Sequence, residues 1–173
     1  MKVDNKNNIG RIFNGLQAST NIPWQIRLEI PTPDYEYPSS CSGAILDNIT
    51  ILTIATCVEF AIQNSPEYLV FAGTINKWDQ SAQKSQVEKT FIHPEFDDDL
   101  LFANIAVLKL KTPLQLEEGV VQPACLPDFN FEPIFGETVV ASGWGARQIL
   151  NGLLDMSKNL QVLNFIYLVV FIV

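Results

Sequence analysis

The sequence is poor in histidine and in positive charge. It contains one histidine, His93, and 11 lysine and arginine residues against 19 aspartate and glutamate residues. The net charge of −8 and the lack of a basic stripe argue against nucleic acid as a partner. Because a single histidine must serve every arrangement, no clear Ser-His-Asp set can be assembled from this chain, and a Cys-His pair with Cys125 is only formally possible.

Long hydrophobic runs are also lacking. The longest, residues 165–173, has nine residues, whereas a helix that spans a bilayer needs roughly 20. We therefore expect no membrane span. Residues 1–8 are polar and have no apolar core of the kind that a secretory signal needs, which predicts either a missing N-terminus or a chain that is not exported.

The apolar residues that are present follow strand periods. Hydrophobic residues make up 47% and charged residues 17%, which is a globular composition. The alternation of Trp24, Ile26, Leu28 and Ile30 with polar neighbours predicts a half-buried strand. Other predicted strands are 42–46 and 49–54, split by a turn at Asp47-Asn48, then 68–72, 86–92, and 105–110, which suits a strand buried on both faces. With no long helical period, this pattern indicates an all-β barrel or sandwich.

Five ordered segments carry a family resemblance. They are Arg11-Ile12-Phe13-Asn14-Gly15, Ser42-Gly43-Ala44-Ile45-Leu46, Ile51-Leu52-Thr53-Ile54-Ala55-Thr56-Cys57, Phe102-Ala103-Asn104-Ile105-Ala106-Val107-Leu108 and Ser142-Gly143-Trp144-Gly145. Together they resemble the trypsin/chymotrypsin-like serine proteases, peptidase family S1. The resemblance covers residues 11 to about 166 and implies trypsin-like antiparallel β-barrels, the first complete and the second only begun.

The resemblance also implies a domain organisation. Residues 1–11 would be a leader or propeptide, with cleavage between Arg11 and Ile12. Residues 12–135 would form the first barrel and 136–166 part of the second. The apolar tail 167–173 is unlike the family, so we expect a truncated or misjoined gene product.

Two substitutions stand at positions that the family uses for catalysis. The resemblance places Thr56 where the family has its histidine base and Asn104 where it has the aspartate that orients this base. A threonine hydroxyl binds no proton near neutral pH, and asparagine carries no charge to stabilise an imidazolium. The amide alone lowers the rate about 10⁴-fold even when the histidine is present. The nucleophile motif Gly-Asp-Ser-Gly-Gly does not occur, and His93 matches a non-catalytic His-Pro. We therefore predict an inactive homologue that is not an enzyme.

Three cysteines leave one without a partner. The resemblance pairs Cys41 with Cys57, and Cys125 is then either a buried thiol or the partner of a cysteine outside this sequence. A disulfide implies an oxidising compartment, so we expect an extracellular protein. The triplet Asn48-Ile49-Thr50 is a glycosylation acceptor, and it falls in the turn before a strand.

No cofactor or metal is expected. The acidic run of Glu95 and residues 97–99 lacks the spacing and the glycine of a calcium loop, so we interpret it as a solvated loop. The family's calcium loop would follow Gly73 with a glutamate, where this sequence has Thr74. By resemblance the acidic loop lies beside the substrate cleft, where its charge could bias which proteins bind.

Three hypotheses for function follow. The first is a non-catalytic homologue that binds proteins, such as protease substrates or cascade components, as a decoy or adaptor in an extracellular protease pathway. The second is a serine endopeptidase known from an incomplete or erroneous sequence. The third is a gene remnant without function.

Overall fold

The chain folds mainly into β-strands. The structure is a computed structural model that describes residues 15–31, 38–64, 67–131, 134–150 and 153–166. Its elements in chain order are β1 (Leu16–Gln17), β2 (Gln25–Ile30), β3 (Ser39–Asp47), β4 (Thr50–Thr53), α1 (Ala55–Asn64), β5 (Leu69–Ala72), β6 (Gln83–Ile92), β7 (Ala106–Leu110), β8 (Thr138–Gly143), β9 (Ala146–Leu150), β10 (Leu153–Met156) and β11 (Gln161–Ile166). The predicted leader 1–11, the cleavage bond at Arg11-Ile12 and the tail 167–173 lie outside the described residues.

Six of these strands close into an antiparallel barrel. Its order is β2-β3-β4-β7-β6-β5, and β5 pairs back onto β2. Closure leaves no unpaired strand edge in this sheet. The all-β prediction is confirmed.

The barrel core is filled by side chains of its strands together with Val58 of α1 and Val121. Each fully buried aliphatic side chain contributes about 1.5–3 kcal/mol relative to an exposed one. The largest of these residues are Ile26, Leu28, Ile30, Ile45, Ile51, Val58, Val70, Leu108 and Val121. This core fixes the strand register on which the candidate site depends.

The predicted burial of two strands is wrong. The sequence predicts a half-buried β2, yet its outer residues Gln25 and Arg27 are 8% and 3% exposed. The Arg27 guanidinium lies 4.3 Å from the ring centre of Phe71 on β5 and forms an ion pair with Glu29, so apolar and charged contacts cover this outer face. The sequence also predicts a β7 that is buried on both faces, yet Val107 and Lys109 are only half-buried and alternate with buried residues.

Helix α1 is not predicted by the sequence pattern. Its buried residues Ala55, Val58 and Ala61 recur every three positions, which places them along one side of a ten-residue helix. The preceding apolar run predicts a strand over 49–54, but β4 ends at Thr53. The helix is too short for its hydrophobic period to be distinguished from the apolar run that precedes it.

The described chain divides into two compact units. One comprises Thr20–Thr74 and Asp79–Pro127 and contains the barrel. The other takes its described residues from Met1–Ser19, Ile75–Trp78 and Asp128–Val173. The predicted division at residues 135 and 136 stays a prediction.

The second unit contains a three-stranded sheet and a hairpin. The sheet has the order β1-β11-β8, and β9 pairs with β10. The family resemblance implies part of a second barrel over 136–166, and β8, β9, β10 and β11 lie in this range. Trp144 Nε1–H donates to the carbonyl of Ile75 at 2.9 Å, and the N–H of Leu160 donates to the same carbonyl at 2.7 Å, so these contacts hold 75–78 within this unit.

Candidate functional site

Thr56 and Asn104 lie in direct contact. The hydroxyl of Thr56 donates to Asn104 Oδ1 at 3.1 Å, and the backbone N–H of Thr56 donates to the same oxygen at 3.0 Å. Both residues are half-buried. The structure therefore brings together the two positions that the resemblance assigned to the base and its orienting carboxylate, and that assignment stays a prediction.

Strand pairing explains this contact. β4 and β7 are antiparallel, and Thr53 at the end of β4 lies opposite Ala106 at the start of β7. The chain leaves β4 toward Thr56 while it enters β7 from Asn104, so both residues lie at one end of the same strand pair. The contact thus depends on residues 48 positions apart in the sequence.

Asn104 also caps helix α1. The first N–H groups of a helix have no partner within it, and the N-terminus carries a partial positive charge. Thr56 is the second residue of α1, and the first turn contains no acidic residue. The amide oxygen of Asn104 satisfies one of these donors from a distant part of the chain.

The loop before Asn104 has a strained backbone. Leu101 and Ala103 have φ angles of 52° and 49° in the left-handed region, which costs about 1–2 kcal/mol for each non-glycine residue. The loop is held by hydrogen bonds from the N–H of Leu100 to Asp97 Oδ1 at 2.8 Å and from the N–H of Asp97 to the carbonyl of Phe102 at 3.0 Å. Local bonds therefore hold this loop in a conformation that bulky residues rarely adopt.

The Thr56–Asn104 pair can donate and accept hydrogen bonds, but neither side chain exchanges a proton near neutral pH. His93 is exposed, and its Nδ1 accepts the N–H of Glu95 at 3.1 Å. Its backbone N–H donates to the carbonyl of Ile105 at 3.1 Å. Among the hydrogen bonds of the described residues, none joins His93 to Thr56 or Asn104.

A disulfide adjoins the candidate site. It joins Cys41 on β3 to Cys57 on α1, with Cα atoms 6.4 Å apart, and this is the pair that the resemblance implied. It fixes the residue next to Thr56 to the barrel. Cys125 is exposed, so the interpretation as a buried thiol is wrong, and a partner outside this sequence stays a prediction.

The acidic run 95–99 lies in the same loop region as the strained residues. Glu95 and residues 97–99 are exposed, as are Leu100, Leu101 and Phe102, with 78%, 57% and 60% of their surface accessible. Sequence reasoning singled out the acidic residues but missed the apolar ones. The run Asp-Asp-Asp-Leu-Leu-Phe could have indicated them, because three apolar residues follow three acids ahead of a strand.

The described part of the chain contains no cluster of metal-binding side chains. There, no three His, Cys, Asp or Glu side chains are grouped so that they could hold an ion. Near Gly73, the hydroxyl of Thr74 donates to Asp79 Oδ2 at 3.0 Å. Hydrogen bonds from Ser81, with a further one from Thr74, lower the pKa of Asp79.

Among the residues that the structure describes, no helix is long and apolar enough to span a membrane.

A groove of about 490 Å³ lies in the second unit, outside the Thr56–Asn104 contact. It is lined by residues 15–17 of the chain and by residues 156–159 and 161. Its polar wall includes Ser157 and Gln161, whose side chains hydrogen-bond each other at 2.9 Å. The hydroxyl of Ser157 in turn donates to the carbonyl of Asn159 at 2.6 Å, so hydrogen bonds within this wall hold both side chains.

The sequence matches the protein-family model described as trypsin over residues 12–167. The chain therefore belongs to the trypsin family of serine proteases, as the five sequence segments predicted. The match covers most of the 173 residues and includes the barrel and both residues of the Thr56–Asn104 contact.

Similar curated proteins are proteases. The chain is 34% identical to chymase of Mus musculus and 36% identical to chymase of Rattus norvegicus, in both cases over 81% of this chain and 55% of the relative. It is 32% identical to kallikrein 1-related peptidase b5 of Mus musculus, over 90% of this chain and 59% of the relative. The chain thus spans somewhat more than half the length of these relatives.

Solved structures show the same fold. The crystal structure of scabies mite inactivated protease paralogue S-D1 matches with a TM-score of 0.77 at 22% sequence identity. The match covers 91% of this chain and 63% of the paralogue's chain. A structure of GrC has a TM-score of 0.75 at 23% identity, with 88% and 64% covered. At these identities the likeness establishes the trypsin-like fold alone.

Proposed function

We propose that this chain is a non-catalytic member of the trypsin family that acts by binding proteins in an extracellular protease pathway. The observation that supports this most is the contact of Thr56 with Asn104, in which one amide oxygen accepts both donors of the threonine. By family resemblance these positions belong to the base and its orienting carboxylate. Neither can then take the proton that a nucleophile must release.

The extracellular location is part of the same proposal. A disulfide between Cys41 and Cys57 is typical of proteins from oxidising compartments. Cleavage at Arg11-Ile12 would produce the new N-terminus that the family uses. In this proposal such cleavage has no catalytic centre to assemble.

The surface best suited to binding is the loop that leads to Asn104, which we call the 97–102 loop. Its first three residues are acidic and exposed, and its last three are apolar and exposed. Exposed apolar residues next to one another often mark interaction surfaces, and the acidic residues favour a cationic neighbour. We propose a protein segment that combines basic and apolar side chains as the bound partner.

A binding assay tests this function. The purified full chain is added to a protein substrate that an active trypsin-family protease cleaves at basic residues, and the cleavage rate is measured. We expect slower cleavage with the wild-type chain and a several-fold weaker effect with the double variant Leu100→Ser/Phe102→Ser. Leu126→Ser is the matched control, because Leu126 is 63% exposed but lies outside this loop. A wild-type chain that leaves the cleavage rate unchanged would contradict the binding role, and equal slowing by all three proteins would contradict binding through the 97–102 loop.

An activity assay tests the loss of catalysis separately. The chain is incubated with a fluorogenic peptide library and with a probe that labels reactive serines. We expect neither turnover nor labelling. Labelling of the wild-type chain would overturn the proposal, whatever the binding assay shows.

The second candidate is a serine endopeptidase, which the names of the chymase and kallikrein-related relatives favour. This candidate needs a histidine codon in place of that for Thr56, an aspartate codon in place of that for Asn104, and a Gly-Asp-Ser-Gly-Gly segment that follows Val173. Sequencing of the full transcript distinguishes the two. A transcript that contains all three features would replace the non-catalytic proposal.

A further inference from the structure

The turn between β3 and β4 exposes the side chain of Asn48. Asn48 lies at the tip of this hairpin, and its carbonyl accepts the N–H of Leu114 at 2.8 Å. Its side-chain amide makes no hydrogen bond to any described residue, whereas its backbone is held. The turn itself is fixed by the N–H of Ile49, which donates to Asp47 Oδ1 at 2.8 Å. A large group attached to the amide would therefore extend into solvent without disturbing the strands.

The third residue of the acceptor triplet is buried, unlike Asn48. Thr50 is only 6% exposed. Its hydroxyl donates to Asp47 Oδ2 at 2.7 Å and accepts from Lys109 Nζ at 2.6 Å. Both hydrogen-bonding functions of this hydroxyl are thus occupied in the folded chain, by residues on either side of it.

The burial of Thr50 limits when the modifying enzyme can recognise the triplet. The rule Asn-X-Ser/Thr requires a hydroxyl at the third position, so the modifying enzyme must reach that hydroxyl as well as the asparagine. In the folded barrel, Thr50 lies opposite Lys109 in the β4–β7 pairing and cannot be reached. The triplet is therefore readable only before these strands pair.

We infer that Asn48 carries an N-linked glycan and that the glycan is transferred before β4 pairs with β7. The donor is an oligosaccharide on a lipid-linked diphosphate. Asn48 Nδ2 forms a C–N bond to the anomeric carbon and loses one proton, while the anomeric C–O bond breaks and the diphosphate leaves with the electron pair. Asn48 also lies inside the loop that the Cys41–Cys57 disulfide closes, so oxidation of these cysteines competes with transfer.

The first experiment measures glycan occupancy. The full chain, preceded by a secretion leader, is expressed in a eukaryotic host together with an unrelated secreted glycoprotein that confirms active transfer. We expect the wild type and Thr50→Ser to show a mobility shift that N-glycosidase reverses, because serine keeps the hydroxyl. Asn48→Gln and Thr50→Val should show no shift. A wild-type chain without glycan, beside a modified reporter, would overturn the inference.

The second experiment tests the order of events. The double variant Cys41→Ser/Cys57→Ser cannot close the loop, so its occupancy at Asn48 should equal or exceed that of the wild type. Occupancy is measured by mass spectrometry on total cell protein, so the variant need not fold. Lower occupancy in this variant would show that the enzyme reads a closed hairpin. The inference rests on the extracellular location in the proposed function. The added leader supplies entry into the secretory route, and neither readout depends on proteolysis or on partner binding, so a failure here is distinct from a failure of the proposed binding role.

Discussion

Asn104 Oδ1 accepts two hydrogen bonds from Thr56, one from the hydroxyl at 3.1 Å and one from the backbone N–H at 3.0 Å. The contact joins the start of helix α1 to the segment that enters β7. It gives Asn104 a structural role that needs no charge, because the amide oxygen caps the helix as a carboxylate would. The pair thus stabilises the fold through two hydrogen bonds, and its assignment to the catalytic positions of the family stays a prediction.

This capping role predicts a graded loss of stability. Thr56→Val removes the hydroxyl but keeps the N–H, and we expect it to lower the free energy of unfolding by about 1 kcal/mol. Asn104→Ala removes the acceptor of both bonds, and we expect a loss of about 2 kcal/mol. Asn104→Asp keeps the acceptor and should retain most of the stability at neutral pH. Urea unfolding measures all three, and equal losses for Thr56→Val and Asn104→Ala would exclude a cap.

The disulfide predicts sensitivity to reductant. Cys41 and Cys57 are separated by 16 positions, and closure of a loop of this size contributes about 3 kcal/mol in the chain-entropy account. Cys41→Ala/Cys57→Ala should therefore lower the thermal midpoint, and reductant should lower that of the wild type to a similar value. Cys125→Ser is the control, since its thiol is free and exposed. A wild-type midpoint that reductant leaves unchanged would contradict a stabilising bridge.

The close packing around Gly43 predicts that a side chain at this position destabilises the fold. A Cβ at this position would lie 2.6 Å from the carbonyl oxygen of Leu52 and 3.0 Å from Ile26 Cδ1, so neighbouring strands would have to separate. We expect Gly43→Ala to cost about 1–3 kcal/mol. Gly119→Ala is the comparison, because its φ of +72° brings backbone strain of about 1–2 kcal/mol but no atom lies within 4 Å of the new Cβ. Chemical denaturation should rank Gly43→Ala as the more destabilising, and the reverse order would refute the close approach.

The contacts of the Asp47 carboxylate predict a contribution to stability that is lost in acid. The hydroxyl of Thr50, the N–H of Ile49 and the charge of Lys109 lower the pKa of the Asp47 carboxyl in the folded chain. Because the folded pKa is below the unfolded value of about 3.9, the contribution is present above that pH and is lost as the pH falls through the folded pKa. Since Asp47 is exposed, we expect a small effect.

The variant Asp47→Asn isolates this contribution. Its amide does not titrate, so the stability difference between wild type and variant should shrink as the pH falls below about 4. Thermal unfolding of both proteins across this range measures the difference. A difference that stays constant with pH would show that the carboxylate gains nothing from its three neighbours.

The strands were predicted well where their hydrophobic period is local. The runs 68–72, 86–92 and 105–110 lie on or beside β5, β6 and β7, because short segments rich in apolar residues between turn signals mark strands without reference to the rest of the chain. The faces themselves were predicted less well. The outer side of β2 is buried because Arg27 lies over Phe71 of a neighbouring strand, and no pattern within β2 contains that information.

The candidate site shows the same division. The sequence identified Thr56 and Asn104 through motif resemblance, but their hydrogen bond and the capping of α1 depend on the pairing of β4 with β7. Helix α1 itself was missed, since ten residues with buried positions every third residue follow an apolar run directly. The apolar half of the 97–102 loop was missed because exposure is a property of packing.

The sequence by itself determined the family, the all-β class and the residue types at the two key positions, because these follow from ordered motifs and short-range periodicity. Only the tertiary structure decided that one amide oxygen satisfies both donors of Thr56, that Thr50 is buried beside an exposed Asn48, and that Cys125 faces solvent. Each of these depends on contacts or burial that strands distant in sequence create when they close the barrel. Such relationships are set by register and packing, which no local pattern of residues records.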